Sequence, residues 1–204
     1  MPYKRTASPS AVLSLADAKT HLRVDHSDDD SYITALIQVA TDSLDGRDGW
    51  LGRALATQTW QYTGPIPTAV QIADLRFLAK WPATYVKLEL PPVQTLTEVA
   101  CLISGTYTAQ TLTNFQVRAM KGYSVVRPIN GQSWPTMDDD EECLRITFTT
   151  GEATCPTPIV HAIKLLVGSL YELRSEEMYE TSRATLETNP AFKNLLAPYK
   201  VWTI

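Results

Sequence analysis

Apolar positions near the start of the chain recur at helical spacing. Leu15, Ala18 and Leu22 form a narrow stripe, and Ser14 with Asp17 three residues on has the form of a capping box. The pattern stops at Asp25-His26-Ser27 and resumes with Ile33, Leu36, Ile37, Ala40 and Leu44 on one face, while Thr34, Gln38, Thr41 and Asp45 lie off it. Ser27, followed by Asp28, Asp29 and Asp30, predicts the start of this second helix, with negative charge at the end of the macrodipole that favours it. Arg47, Leu51 and Leu55 carry the spacing further. Gly46, Gly49 and Gly52 each weaken a helix there by up to about 1 kcal/mol relative to alanine, so a break is expected near Gly46.

The period changes at Thr57. Thr57–Thr63, Thr84–Leu90, Thr95–Ile103, Phe115–Val117, Tyr123–Arg127 and Leu144–Thr149 read as short strands. Turn residues separate them: Gly64-Pro65-Ile66-Pro67, Pro91-Pro92, Ser104-Gly105, Lys121-Gly122 and Asn130-Gly131. Tyr85, Lys87 and Glu89 alternate with Val86, Leu88 and Leu90, the period of a half-buried strand. The stretch Ala69–Lys80 fits neither template. After Gly151 the helical period returns over Ile159–Arg174, where Ile159, Ala162, Ile163, Leu166 and Leu170 line a face that Val160, Leu165 and Val167 widen. So broad a stripe belongs at the centre of a core. Residues 175–189 are polar, and the chain closes on a short apolar helix-like segment, a proline and an aromatic tail.

These elements predict an α+β fold. N-terminal and C-terminal helices form a helical core, a small and mainly antiparallel β region is inserted between them, and an extended C-terminal tail follows. The expected divisions are a flexible arm at 1–12, core helices at 13–56, the β region at 57–150, the C-terminal core helix at 151–175, and a polar linker with a partner-docking tail at 176–204.

Composition narrows the function. The 204 residues are 44% apolar and 20% charged, a balance that can support a core. A net charge of −4, with no basic run along the sequence, gives no general reason to bind nucleic acid. No apolar run approaches the roughly 20 residues a bilayer span needs, and the opening MPYKRTASPS does not read as a secretory signal. Cys101, Cys143 and Cys155 are odd in number and widely spaced, and the first two sit in strand-like runs as small buried hydrophobes do. That usage agrees with a cytosolic origin.

Candidate chemistry is sparse. The acidic hinge Asp25–Asp30 fails as a calcium loop, because its sixth and twelfth positions hold Asp30 and Leu36 rather than glycine and a carboxylate; helix capping explains it. Asp138, Asp139, Asp140, Glu141 and Glu142 form the densest charge run. Consecutive acids diverge on any regular backbone, so a solvated loop tip that repels DNA or steers a partner fits better than a two-metal centre. His21, His26 and His161 are scattered, and no phosphate-binding loop, dinucleotide fingerprint or nucleophile elbow is present. The expectation is a protein that is not an enzyme and needs no cofactor or metal. The tail differs from most chain ends in carrying Phe192, Leu195, Leu196, Tyr199, Val201 and Trp202. It either folds onto its own core or, with Lys200, reaches a partner through aromatic anchors.

Several separated blocks resemble the head–tail connector (adaptor) proteins of tailed bacteriophages, prophages and gene-transfer agents. In order they are LSLADAKTHLRVDHSDDDSYITALIQVA, GRALATQTW, LELPPVQTLTEV, INGQSWP, ITFTTG, PTPIVHAIKLLVGSLYELRSE and LLAPYKVW. Residues 66–83 depart from the pattern, and Lys200 stands where the family typically has arginine, which keeps a basic contact with less bidentate capacity. The resemblance implies a virion structural protein at the head–tail junction, assembled in the bacterial cytoplasm. It would form a ring, usually of twelve copies, below the portal protein, extend the DNA channel, and dock a tail-side stopper or tail-completion protein. DNA would pass without sequence-specific binding, and no membrane is involved. Phe192, Leu195, Leu196, Tyr199, Lys200 and Trp202 would meet the portal or a neighbouring subunit, and Asp138–Glu142 would face the channel. The second readings are a metal-dependent nuclease or DNA-packaging accessory, and a tail-completion ring protein.

Overall fold

Two sets of apolar side chains each close on themselves in the computed structural model, which describes residues 2–7, 9, 11–65, 85–120, 122–172 and 190–201. The chain divides into two units, one of Met1–Ser8 with Thr57–Gly151, the other of Pro9–Ala56 with Glu152–Ile204. The fold is α+β, with helices α1 (Leu15–Leu22), α2 (Asp30–Leu44), α3 (Thr157–Glu172) and α4 (Pro190–Leu196) and strands that pair antiparallel throughout. Ala69–Lys80 and the polar stretch 175–189 lie outside the described residues.

In the helical unit, Ser14 caps α1 by accepting the Asp17 N–H at 3.1 Å. The Asp17 carboxylate answers by accepting the Ser14 hydroxyl at 2.6 Å, where a capping box would use the backbone N–H. α2 starts three residues later than expected, at Asp30, with Asp29 in the cap position and no side-chain cap bond. Ser27 therefore does not cap it; its carbonyl accepts the Asp30 N–H at 3.2 Å in the turn before the helix. The acids of the hinge act through tertiary partners instead. Asp30 pairs with Lys19 of α1 at 2.6 Å, and Asp29 accepts the hydroxyl of Tyr171 from α3.

α2 ends at Leu44, and Gly46 turns the chain away with a φ of 85°, so the break falls where the glycines predicted it. Leu51 and Leu55 are still fully buried, carried in by a loop rather than a helix. Asp45, itself buried, holds that loop by accepting the Leu55 N–H at 2.8 Å. Gly49 is required here, because a Cβ would collide with the Asp45 carbonyl. Ile33, Leu36, Leu44, Ile159, Ile163, Leu166 and Leu170 meet in one cluster, with the expected faces of α2 and α3 turned toward each other. Arg53 also pairs with Glu152, joining the two stretches of sequence that make this unit.

The β unit is two sheets. The larger has strand order β1-β2-β8-β4-β5, from Tyr3–Ala7, Gln58–Gly64, Leu144–Thr150, Val93–Ile103 and Thr106–Ala109. The smaller runs β3-β7-β6, from Val86–Leu88, Tyr123–Pro128 and Phe115–Met120. Val86, Leu88, Phe115 and Val126 of the small sheet share a cluster with Val99, Cys101, Leu144, Ile146 and Phe148 of the large one. The arm expected at 1–12 is corrected over residues 3–7. Tyr3 pairs with Tyr62 in register, its ring 5.3 Å from that of Tyr62, and its hydroxyl donates to the Lys87 carbonyl at 3.1 Å. Partners distant in sequence turn these polar residues into an edge strand.

Candidate docking surfaces

Two of the proposed tail anchors are occupied within their own unit. Phe192 and Leu196 are buried in the helical cluster, 4% and 0% exposed, and Leu195 and Tyr199 pack against it half-buried. Residues 190–199 are helical, α4 followed by a single 3₁₀ turn, rather than extended. The segment then runs beside the Trp50–Gly52 loop. The Lys200 ammonium lies 4.0 Å from the centre of the Trp50 ring, and the Val201 N–H donates to the Leu51 carbonyl at 2.9 Å. Trp202 lies outside the described residues. Removal of the segment from Pro190 would therefore take away core side chains.

The acidic run is a built loop. The Asp138 carboxylate accepts the N–H groups of Ser104 and Gly105 at 3.0 and 2.7 Å, stapling the loop to the turn between β4 and β5. Asp140 accepts the Glu142 N–H at 2.7 Å, and the Glu142 carbonyl accepts the Tyr107 hydroxyl at 2.6 Å. Asp138 and Asp140 thus serve the loop's own shape, and Asp139 and Glu141 are exposed at its tip. Two carboxylates turned toward backbone N–H groups are poorly placed to share a divalent ion.

A third surface could not be seen in the sequence. Lys87 and Arg118 both pair across Val125, one from β3 and one from β6, so all three share a sheet face. Arg127, two residues along β7 from Val125, lies on that face too, and the Gln116 amide oriented to its neighbours accepts from Arg127 Nε and Nη2 at 3.2 and 3.0 Å. Lys87 sits 5.0 Å from the Tyr123 ring centre and 3.4 Å from Glu89. The opposite face carries Val86, Leu88 and Val126 into the core, and Val125, between the two cations, is itself 1% exposed. Single basic residues 9 to 40 positions apart come to one sheet face only through strand register. Sequence spacing gives no sign of it.

Other candidates resolve structurally. His21 and His161 meet edge to face, with ring centres 6.4 Å apart, and both are exposed. Among the described residues, no group of three or more histidine, cysteine, aspartate or glutamate side chains could hold a metal ion. Cys101, in β4, and Cys143, just ahead of β8, are buried free thiols. Burial, with Cys143 adding to it, pushes the Cys101 thiol up to about 11. Cys155 is also pushed up to about 11, by burial first and Glu152 next.

Residues 12–81 match the family of phage gp6-like head–tail connector proteins. No curated protein matches the chain. Among solved structures, a chain from the neck of an empty gene transfer agent particle, computed with C6 symmetry, is similar at a TM-score of 0.73 and 17% identity, covering 100% of this chain and 97% of that one. A chain from the virion of a native gene transfer agent particle is similar at 0.71 and 18%, with the same coverage. A chain from the neck of a native particle, computed with C12 symmetry, is similar at 0.61 and 17%, again over 100% and 97%. At these identities the likeness shows a shared fold.

Proposed function

We propose that this protein is a head–tail connector that forms a closed ring at the neck of a phage-like particle, below the portal protein, extending the DNA channel and presenting a docking surface for a tail-side stopper or tail-completion protein. The observation that carries the reading is the joint one. Residues 12–81 match a connector family, and the whole fold is similar to chains in gene transfer agent necks computed with C6 and C12 symmetry. Twelve copies are the expected ring. A ring of identical chains needs a heterologous interface, with two different patches on each copy.

The tail docks only through what its own core leaves free. Phe192 and Leu196 act by fixing α4, which leaves Leu195, Tyr199, Lys200 and Trp202 as the residues that would meet the portal or the adjacent subunit. Electron microscopy of the assembled particle tests the function: density for this chain in a ring directly below the portal supports it. Density on the tail side of another ring would instead assign a tail-completion role. Absence from the purified particle would refute both.

A further inference from the structure

We propose that the Trp50–Gly52 loop is a latch that holds the tail on its own helical unit, and that a docking partner must displace Lys200 and Val201 from it. The inference rests on the reading that the tail docks, and it names how that docking is held back. The latch has a fixed receptor. Trp50, Leu51 and Gly52 turn their N–H groups to the carbonyls of Ser43, Leu44 and Gly49, at 2.9, 3.4 and 3.0 Å. With the Leu51 side chain fully buried as well, the loop is tied to the end of α2. It meets the tail through the Trp50 ring face and the Leu51 carbonyl.

The tail fills both positions. The Lys200 ammonium stands 4.0 Å from the centre of the Trp50 ring, whose negative face attracts a cation, and the Val201 N–H donates to the Leu51 carbonyl at 2.9 Å. Val201 also lies against Gly52, where a Cβ would stand 3.5 Å from the Val201 carbonyl oxygen and 3.6 Å from its Cβ. Release is confined to the last residues. Phe192 and Leu196 are buried in the core and keep α4 in place. Ala197 and Pro198 are exposed, and Lys200 and Val201 are half-buried, so the chain can swing from that point without opening a cavity. A ring-face contact and a hydrogen bond at this exposure exchange with water at small net cost. While seated, Lys200 and Val201 commit to their own chain the cation and the N–H that a partner would use. Such a partner binds in proportion to the released fraction.

The test combines Gly52→Cys with Val201→Cys in the full-length chain, where a Cβ–Cβ separation of 3.6 Å suits a disulfide. The native thiols compete poorly, since Cys101 and Cys143 are buried and the Cys101 and Cys155 thiols are pushed up to about 11. Oxidised and reduced samples of this one protein are added to particles that lack the chain, and attachment is scored by sedimentation. The oxidised form, its bond confirmed by intact mass, attaches about tenfold less or weaker still. Reduction restores attachment, which separates a locked tail from a damaged fold. Trp50→Leu keeps an apolar side chain against the core but removes the seat of the cation, and it attaches about two- to tenfold faster. Equal attachment of the oxidised and reduced forms would overturn the latch and leave docking standing, as would failure of the two cysteines to cross-link or no acceleration in Trp50→Leu. Failure of the unaltered chain to attach would remove the docking reading, and the latch with it.

Discussion

The Tyr171 hydroxyl, in the last turn of α3, donates to the carboxylate of Asp29 just ahead of α2, across 142 residues of sequence. Together with the Lys19–Asp30 pair, this bond ties the start of α2 to both α1 and α3. An acidic cluster that resembles a cation site is thus a structural joint among three helices.

Tyr171→Phe should therefore lower stability by about 1–2 kcal/mol, since the acceptor is a charged group in a partly exposed position. Urea denaturation of Tyr171→Phe, Asp29→Ala and the double variant measures the coupling. A coupling energy near zero would show that the bond contributes nothing.

Gly49→Ala should cost about 1–3 kcal/mol, because the added methyl group meets a backbone carbonyl that cannot move aside without shifting the Asp45–Leu55 loop. A denaturation midpoint equal to that of the unaltered chain would contradict the close approach.

Leu196→Ala should behave like Leu166→Ala, each losing about 2–5 kcal/mol through a core cavity, since both side chains are within 1% of full burial. A chain ending at Asn189 should likewise melt lower. Thermal melts of the three variants against the unaltered chain check this. Leu196→Ala and the shortened chain melting like the unaltered protein would place α4 outside the core.

Stability should fall as pH rises from about 9 toward 11. Cys101 and Cys155 have ordinary thiol values of 9.0 when unfolded and about 11 when folded. In that window the folded state binds more protons than the unfolded one, so its advantage, complete below pH 9, is lost through the folded values. Cys155→Ala should flatten part of the decline in a series of denaturation curves. An identical slope in the variant would remove Cys155 from the account.

Where apolar spacing was regular, the sequence carried the fold. Ile33 to Leu44 and Ile159 to Leu170 announce the two helices that meet in the core, and Val86-Lys87-Leu88 announces a strand with one face inward. Periodicity is local, and it survives because buried faces must be apolar. The edge strand Tyr3–Ala7 was not legible in that way, since its pairing with Tyr62 and Trp60 comes from residues more than fifty positions away. The tail showed the same limit. Its aromatic and aliphatic residues are as suitable for a partner as for a core, and only the position of α4 buries Phe192 and Leu196 in their own unit.

The sequence by itself determined the α+β class, the helix faces, the break at Gly46 and the order of blocks that resemble head–tail connectors. It could do so because capping, turn chemistry and hydrophobic period act over a few residues. Only tertiary structure decided which carboxylates of 138–142 are tied down, where the end of the chain is held, and that Lys87, Arg118 and Arg127 share one face. Those facts depend on strand register and on contacts between distant segments, which set neighbours in space without any fixed spacing along the chain.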